Sequence, residues 1–423
     1  MSLALGIRCK ICGETYPLSD VYSCPRCSTD ECSSRNNTLE VTYDYGKISR
    51  KIRPSGIEQR TNSMWRFVEL LPVCDTHNIV TLGEGATWLK RCRKLEKHFR
   101  VKHIFVKDES TNPTGCHKDR EASVLISKAR EWRRRTVSAF TCGNLGSSVA
   151  CYSAKAGLDC VIFIPYLNIH PLPRIAQMIA FGARLYQVVG TEKEIDTLAR
   201  VLHDKHRWVF TMLGGGSKWE GKPQSPYIHE GKKTIAFEVA MQMGWKYPDH
   251  MFSPGSGGNF YDCWRGFKQL KDLGWVKGRL PRMHSVESTE ANPTYRAFMQ
   301  KKDSVILERP GETVTYPISS TVSPLKSLMA LRESGGSPLC VTDKEVLQAQ
   351  KLLAAKEGIF VEPASATSIA GLAKLAGDYV DKDETVVCTL TATGLKFPEP
   401  ILAHFKLPRL RASIRSIENL HLI

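Results

Sequence analysis

Lys107-Asp108-Glu109-Ser110-Thr111-Asn112-Pro113-Thr114-Gly115-Cys116-His117-Lys118-Asp119-Arg120 is a turn-rich loop that carries a lysine to the start of a predicted helix. An ammonium at a helix N-terminus opposes the macrodipole. That position therefore favours the neutral amine, the form that attacks an aldehyde. The plainer alternative is a surface lysine followed by ordinary helix charges. The segments on either side decide between these.

Upstream, 104–106 reads as a β-branched strand, and 118–132 reads as the helix that follows the loop. Strands at 137–141, 160–164 and 185–189 alternate with helices near 145–156, 173–181 and 192–203. Helices at 232–243, 260–271, 343–356 and 365–376 follow, then a last strand at 384–390. Such alternation predicts an α/β protein with mostly parallel sheets.

Three further segments follow strands. Thr141-Cys142-Gly143-Asn144-Leu145-Gly146 opens a helix, where backbone N–H groups can hold a carboxylate. Asn144 can donate to a phenolate oxygen. Pro254-Gly255-Ser256-Gly257-Gly258-Asn259 lets backbone amides converge on a phosphate. It has neither the GxGxxG spacing of a dinucleotide fold nor the Lys-Ser/Thr of a P-loop. Leu390-Thr391-Ala392-Thr393-Gly394-Leu395-Lys396 follows the last strand, and Thr391 can face a ring nitrogen. Each taken alone also fits an ordinary strand-to-helix turn.

The 423 residues suffice for two or three domains. Hydrophobic residues at 42% and charged residues at 24% are ordinary for a soluble protein. No apolar run approaches the roughly 20 residues of a membrane span. The first seven residues are too short for a signal peptide, so the cytoplasm is the expected location. The net charge of +16 is scattered, with clusters at 47–53 and Arg133-Arg134-Arg135. No aromatic interleaving accompanies them, which argues for a solvated face or anion steering over nucleic acid.

Taken in order, the four segments resemble the threonine synthase family of pyridoxal-5′-phosphate (PLP) enzymes. Thr81-Leu82-Gly83-Glu84-Gly85-Ala86-Thr87 is similar to that family's LGEGxT, and 112–120 to its NPTGSFKDR. Residues 186–189, 230–234 and 360–366 also match family segments. The resemblance covers nearly the whole chain. It implies fold type II, the tryptophan synthase beta-like arrangement of two α/β domains. The expected division is an N-terminal extension at 1–75 and a catalytic region at 76–423, with a small domain inserted at roughly 135–215.

The resemblance also implies roles. Lys118 is the Schiff-base residue and then the base at the substrate's α-carbon. Asn144 contacts the cofactor's ring oxygen, Gly255, Ser256, Gly257, Gly258 and Asn259 bind its phosphate, and Thr391 contacts the pyridine nitrogen. A neutral partner there suits elimination and replacement more than transamination. Thr87, His117, Thr141, Cys142 and Gly143 are the expected substrate contacts, the last three through its carboxylate. A small amino-acid substrate and a homodimer are expected.

Departures bear on the substrate. His117 stands where the family has Phe, adding a group that ordinarily titrates near neutrality or else packs against the ring or the sheet. Glu121 stands where the family has Gly. The family's NPxRxxGQKT, whose Arg grips the phosphate of O-phosphohomoserine, reads Ser225-Pro226-Tyr227-Ile228-His229-Glu230-Gly231-Lys232-Lys233-Thr234. Ile228 replaces that Arg, a loss of roughly 1.5–3 kcal/mol of charge-assisted contact unless Lys218, Lys222 or His229 compensates. Leu213-Gly214-Gly215-Gly216-Ser217-Lys218-Trp219-Glu220-Gly221-Lys222, just upstream, looks like an insertion.

The expected activity is therefore β- or γ-elimination or replacement on an activated amino acid, phosphorylated or otherwise anionic. Its rivals are an authentic threonine synthase, a β-replacement enzyme of the cysteate-synthase type, and a catalytically silent paralogue. The complete set of Lys118, Asn144 and 255–259 argues against the last.

Cys9-Lys10-Ile11-Cys12 and Cys24-Pro25-Arg26-Cys27 form a CxxC pair whose spacing suits a closed, structural four-cysteine zinc site of the ribbon type. The alternative is a set of unmetallated thiols. Cys32 is a fifth thiol able to substitute for a ligand.

Overall fold

The protein is described from a computed structural model covering residues 1–28, 33–141, 143–165, 172–216 and 218–403. Its strands are β1 (Ala4–Cys9), β2 (Thr15–Tyr16), β3 (Leu39–Tyr43), β4 (Trp88–Arg91), β5 (His103–Asp108), β6 (Thr136–Phe140), β7 (Asp159–Pro165), β8 (Arg184–Val188), β9 (Val209–Phe210), β10 (His250–Pro254), β11 (Arg282–Ser288), β12 (Pro338–Val341) and β13 (Thr385–Leu390).

They form three sheets. The largest runs β12-β11-β10-β13-β5-β4, parallel throughout except for the antiparallel edge strand β4. A four-stranded parallel sheet runs β8-β7-β6-β9. All five residues of β10 and five of the six in β13 are buried, as expected of central parallel strands covered on both faces. Because β5, β13 and β10 run the same way in register, Asp108, Leu390 and Pro254 all end at one edge of the sheet. The loops that leave this edge are the ones singled out in the sequence. Ligands of open α/β sheets bind beyond such carboxyl ends.

The third sheet, β2-β1-β3, is antiparallel and lies in the N-terminal segment. This segment is not a detached appendage. Ile7, Val41 and Tyr43 share one hydrophobic cluster with Leu125 and Phe237. Tyr43 Oη donates to Glu230 Oε2 at 2.6 Å, and Tyr22 Oη donates to the Phe210 carbonyl at 2.8 Å. Among the described residues no helix is long and apolar enough to cross a membrane.

Candidate active site

Lys118 is the first residue of the helix Lys118–Glu131, and the loop before it is pinned at several points. Thr114 donates through its N–H (2.7 Å) and its hydroxyl (2.6 Å) to the Asp119 carboxylate. Gly115 has φ +83°, in the left-handed region open to glycine. The His117 N–H donates to the Thr391 carbonyl at 2.8 Å, tying this loop to the one after β13.

Behind Lys118, Arg120 is fully buried and forks onto two carboxylates. Its Nε and Nη2 donate to Glu109 at 2.6 and 2.8 Å, and both Nη donate to Glu238 at 2.7 Å. Lys107 Nζ adds a 2.7 Å bond to Glu238. This network fixes the first helical turn while leaving the Lys118 side chain 25% exposed. Thr87, expected at the substrate, is buried, and its hydroxyl donates to Glu109 at 2.6 Å.

Glu121 Oε1 lies 3.2 Å from Lys118 Nζ, and its Oε2 lies 2.7 Å from Lys232 Nζ. Burial alone would raise the Glu121 carboxyl, but Lys118 and Lys232 outweigh it and hold it at about 2. Lys232 Nζ also lies 3.4 Å from Asp262 and only 2.9 Å from where a Cβ on Gly258 would sit. The contacts thus run from the lysine to the glycine loop.

That loop precedes the fifteen-residue helix Gly258–Asp272. Gly255 has φ +65°, and a Cβ there would press on Ile318 at 3.1 Å. A Cβ on Gly257 would collide with Glu220. Amides at a long helix's N-terminus, with the Lys232 ammonium beside them, fit a phosphate monoester. Within the loop, the Ser256 hydroxyl is taken up by Glu287 at 2.6 Å, and Asn259 Oδ1 is buried without a hydrogen-bond partner among the described residues.

On the smaller sheet's side, Asn144 opens the helix Asn144–Ala156. Its Nδ2 donates to both Glu362 oxygens at 3.1 and 3.0 Å, and its Oδ1 is a buried, unpartnered polar atom. The Gly143 N–H donates to the Thr141 hydroxyl at 3.1 Å. Cys142 lies outside the described residues, as does Cys32.

Arg174, which the sequence reading did not single out, is fully buried and pairs with Glu362 at 2.7 Å. Its guanidinium lies 5.3 and 5.5 Å from the Tyr316 and Phe397 ring centres. Arg174 and Glu362 join the two sheets' elements beside the 141–144 turn.

The Thr391 hydroxyl lies 2.8 Å from the Ser365 hydroxyl, an uncharged pair at the end of β13. His117 Nδ1 lies 3.2 Å from the Thr391 carbonyl. Burial, reinforced by Lys118, depresses His117 to about 3, so it is a neutral imidazole that donates to that carbonyl. Of the two roles open to it from sequence, this environment favours packing over proton transfer near neutrality.

Of the candidate replacements for the phosphate-gripping Arg, His229 comes nearest the glycine loop, its ring 3.1 Å from where a Cβ on Gly258 would sit. Ile228 is buried in the main hydrophobic cluster. Lys222 pairs with Asp196 at 2.6 Å and with Glu192 at 3.6 Å. His229 lies between Asp262, at 3.0 Å, and Asn37, at 3.2 Å. Lys218 holds the N-cap position of the short turn Trp219–Gly221 without a capping bond from its side chain.

Away from this site, the ligand atoms of Cys9, Cys12, Cys24 and Cys27 all lie within 4.8 Å of one another. Cys12 Sγ and Cys24 Sγ are 3.6 Å apart. A tetrahedral zinc with bonds of about 2.3 Å needs sulfurs roughly 3.8 Å apart, so the four thiols fit the ion.

Residues 80–392 match the family model described as "Pyridoxal-phosphate dependent enzyme". The threonine synthase of Methanocaldococcus jannaschii is 38% identical over 398 residues, 93% of each chain. That of Methanosarcina acetivorans is 36% identical over 402 residues, 94% of this chain and 93% of the relative. Among solved structures, the processed form of threonine deaminase isoform 2 from Solanum lycopersicum aligns with a TM-score of 0.61 at 20% identity, covering 74% of this chain and 81% of that one. An L-serine ammonia-lyase from Rhizomucor miehei aligns at 0.59 and 19%, covering 73% and 93%. At such identities these structures bear on the fold alone.

Proposed function

From the premise that the chain belongs to the threonine synthase family of pyridoxal-phosphate dependent enzymes, we propose that it eliminates or replaces a β- or γ-leaving group on an activated, anionic amino acid other than O-phosphohomoserine. The fold is fold type II, and the chain is a PLP-dependent lyase of the threonine synthase-like kind. The observation that carries the proposal is the contact series Lys118–Glu121–Lys232–Gly258, which links a reactive lysine to a phosphate-shaped turn.

When bound, PLP supplies the carbonyl that captures an amino group and the ring that accepts electrons from its α-carbon. The chain's own residues do the rest. Lys118 Nζ would hold the cofactor and, once released as the free amine, would take the α-proton. The amides of residues 255–259 and Lys232 hold the phosphate. Asn144 orients the ring oxygen, and the Thr391–Ser365 pair stays neutral at the ring nitrogen. Thr141, Cys142 and Gly143 hold the substrate carboxylate. His117 positions the loop through Thr391.

Specialisation away from O-phosphohomoserine rests on Ile228, which is packed in the core where the family motif has Arg. The second reading, an authentic threonine synthase, is favoured by the 38% identity to the M. jannaschii enzyme. Steady-state kinetics with O-phosphohomoserine and a panel of phosphorylated and acylated amino acids decide between them. A specificity constant of about 10⁴ M⁻¹s⁻¹ or more for O-phosphohomoserine would establish the second reading.

The same proposal includes a structural zinc on Cys9, Cys12, Cys24 and Cys27. It includes an N-terminal unit at 1–75 and a catalytic region at 76–423, with its small domain at roughly 135–215. A homodimer working in the cytoplasm completes it.

A further inference from the structure

Glu220 lies in the short turn Trp219–Gly221, within the stretch that reads as an insertion. It is 2% exposed, and neither carboxylate oxygen closes a hydrogen bond among the described residues. Oε1 fills the space that a Cβ on Gly257 would need, with the Trp219 ring 3.1 Å from the same point. The Gly258 N–H acts on the carboxylate from the head of its helix.

Three lysine side chains act on it from three different helices. Lys118 comes from the helix Lys118–Glu131, Lys232 from Ile228–Lys232, and Lys326 from Leu325–Ser334. Lys326 Nζ is itself buried without a hydrogen bond among the described residues, 5.0 Å from the Tyr261 ring centre. The neighbouring carboxylates, Glu121 and Asp262, already lie within ion-pair distance of Lys232. The surroundings are those of an anion site, and the group in it is the chain's own carboxylate.

We propose that Glu220 is an internal occupant of the cofactor's phosphate cradle, which a phosphate monoester enters only as this carboxylate is discharged or displaced. The inference rests on the functional reading above, which assigns the 255–259 turn to the cofactor phosphate. A carboxylate and a phosphate dianion at the same amides repel strongly in a buried site.

Burial pushes the Glu220 carboxyl up to about 7, against the pull of Lys232, Lys118 and Lys326. Below that pH the group is neutral and does not compete. Above it the group is ionised and does. Removing its charge therefore strengthens phosphate binding most on the alkaline side.

The test uses full-length apoprotein, wild type against Glu220→Gln and Glu220→Ala, titrated by equilibrium dialysis with PLP and separately with pyridoxal, which has no phosphate. Comparing variant with wild type at each pH cancels the ionisation of the cofactor, and the pyridoxal arm reports any change at Lys118, on which Glu220 also acts. Both variants should bind PLP about tenfold more tightly near pH 8 and within about twofold of wild type near pH 6. Pyridoxal binding should be unchanged, which also shows that the variants fold. Equal or weaker PLP binding by the variants near pH 8 overturns the inference alone. A gain that pyridoxal shares equally also overturns it, because the effect would not lie at the cradle. Wild-type protein that takes up no PLP overturns the functional reading and this inference together.

Discussion

Lys118 Nζ stands 3.2 Å from Glu121 Oε1, three residues on in the same helix. The other Glu121 oxygen stands 2.7 Å from Lys232 Nζ. Glu121 occupies the place of a family glycine and Lys232 that of a family glutamine. The structure makes these two departures one ion pair, both partners almost wholly buried, that touches Lys118. Either charge introduced alone would be costly to bury; together they offset one another.

The pair should behave as a unit in a double-mutant cycle. Glu121→Gly and Lys232→Gln should each destabilise the protein, and the double variant should cost less than the sum by about 1–3 kcal/mol. Urea unfolding measures this. Additivity to within about 0.5 kcal/mol would mean that the two positions are independent.

Arg120→Leu should cost about 3–5 kcal/mol, because it strands the Glu109 and Glu238 carboxylates in the core. Burial would raise Glu238, but Arg120 and Lys107 hold it at about 2. A depressed carboxyl contributes stability above its ordinary value, lost as pH falls through its folded one. Wild-type protein should therefore lose stability from about pH 4.5 toward 2, and Arg120→Leu should lose less over that window. Acid unfolding curves compare them.

Ile228→Arg should not create a phosphate clamp. The side chain is 4% exposed inside an apolar cluster, so a guanidinium there lacks water and a partner. We expect a loss of roughly 3 kcal/mol or more and no gain in O-phosphohomoserine turnover, read by thermal unfolding and phosphate release.

Metal analysis should find about one zinc per chain, the stoichiometry of a four-cysteine site. Chelation or Cys12→Ser should raise hydrogen exchange in β1 and β2 before it lowers PLP content, because Tyr43 and Tyr22 anchor the segment independently of the thiols. Protein purified without chelator and free of zinc would contradict this.

Local pattern revealed the elements whose apolar residues are contiguous. The run at 104–106 lies inside β5, and the helix at 118–132 begins at Lys118 as read. β11 was not read as a strand because its buried residues include His284, Ser285, Glu287 and Ser288. Their burial is made possible by partners elsewhere, His250 at 2.9 Å from His284 and Ser256 at 2.6 Å from Glu287. The segments that bear Lys118, the glycines of 255–259 and Asn144 were legible as loops after strands. Arg174 and Glu362 were not, since their pairing joins residues 188 apart and leaves no mark on local periodicity. Glu220 likewise reads as a solvated charge until the fold lays it on Gly257. The 1–75 segment looks separable by composition, but Ile7 and Tyr43 pack it into the main core.

The central claim is that Lys118 carries the cofactor, and borohydride reduction of PLP-loaded protein followed by peptide mass spectrometry tests it most directly. The account predicts a pyridoxyl group on the peptide containing Lys118, and neither the modification nor turnover in Lys118→Ala. A pyridoxyl group found on another lysine, with Lys118 unmodified, would contradict it.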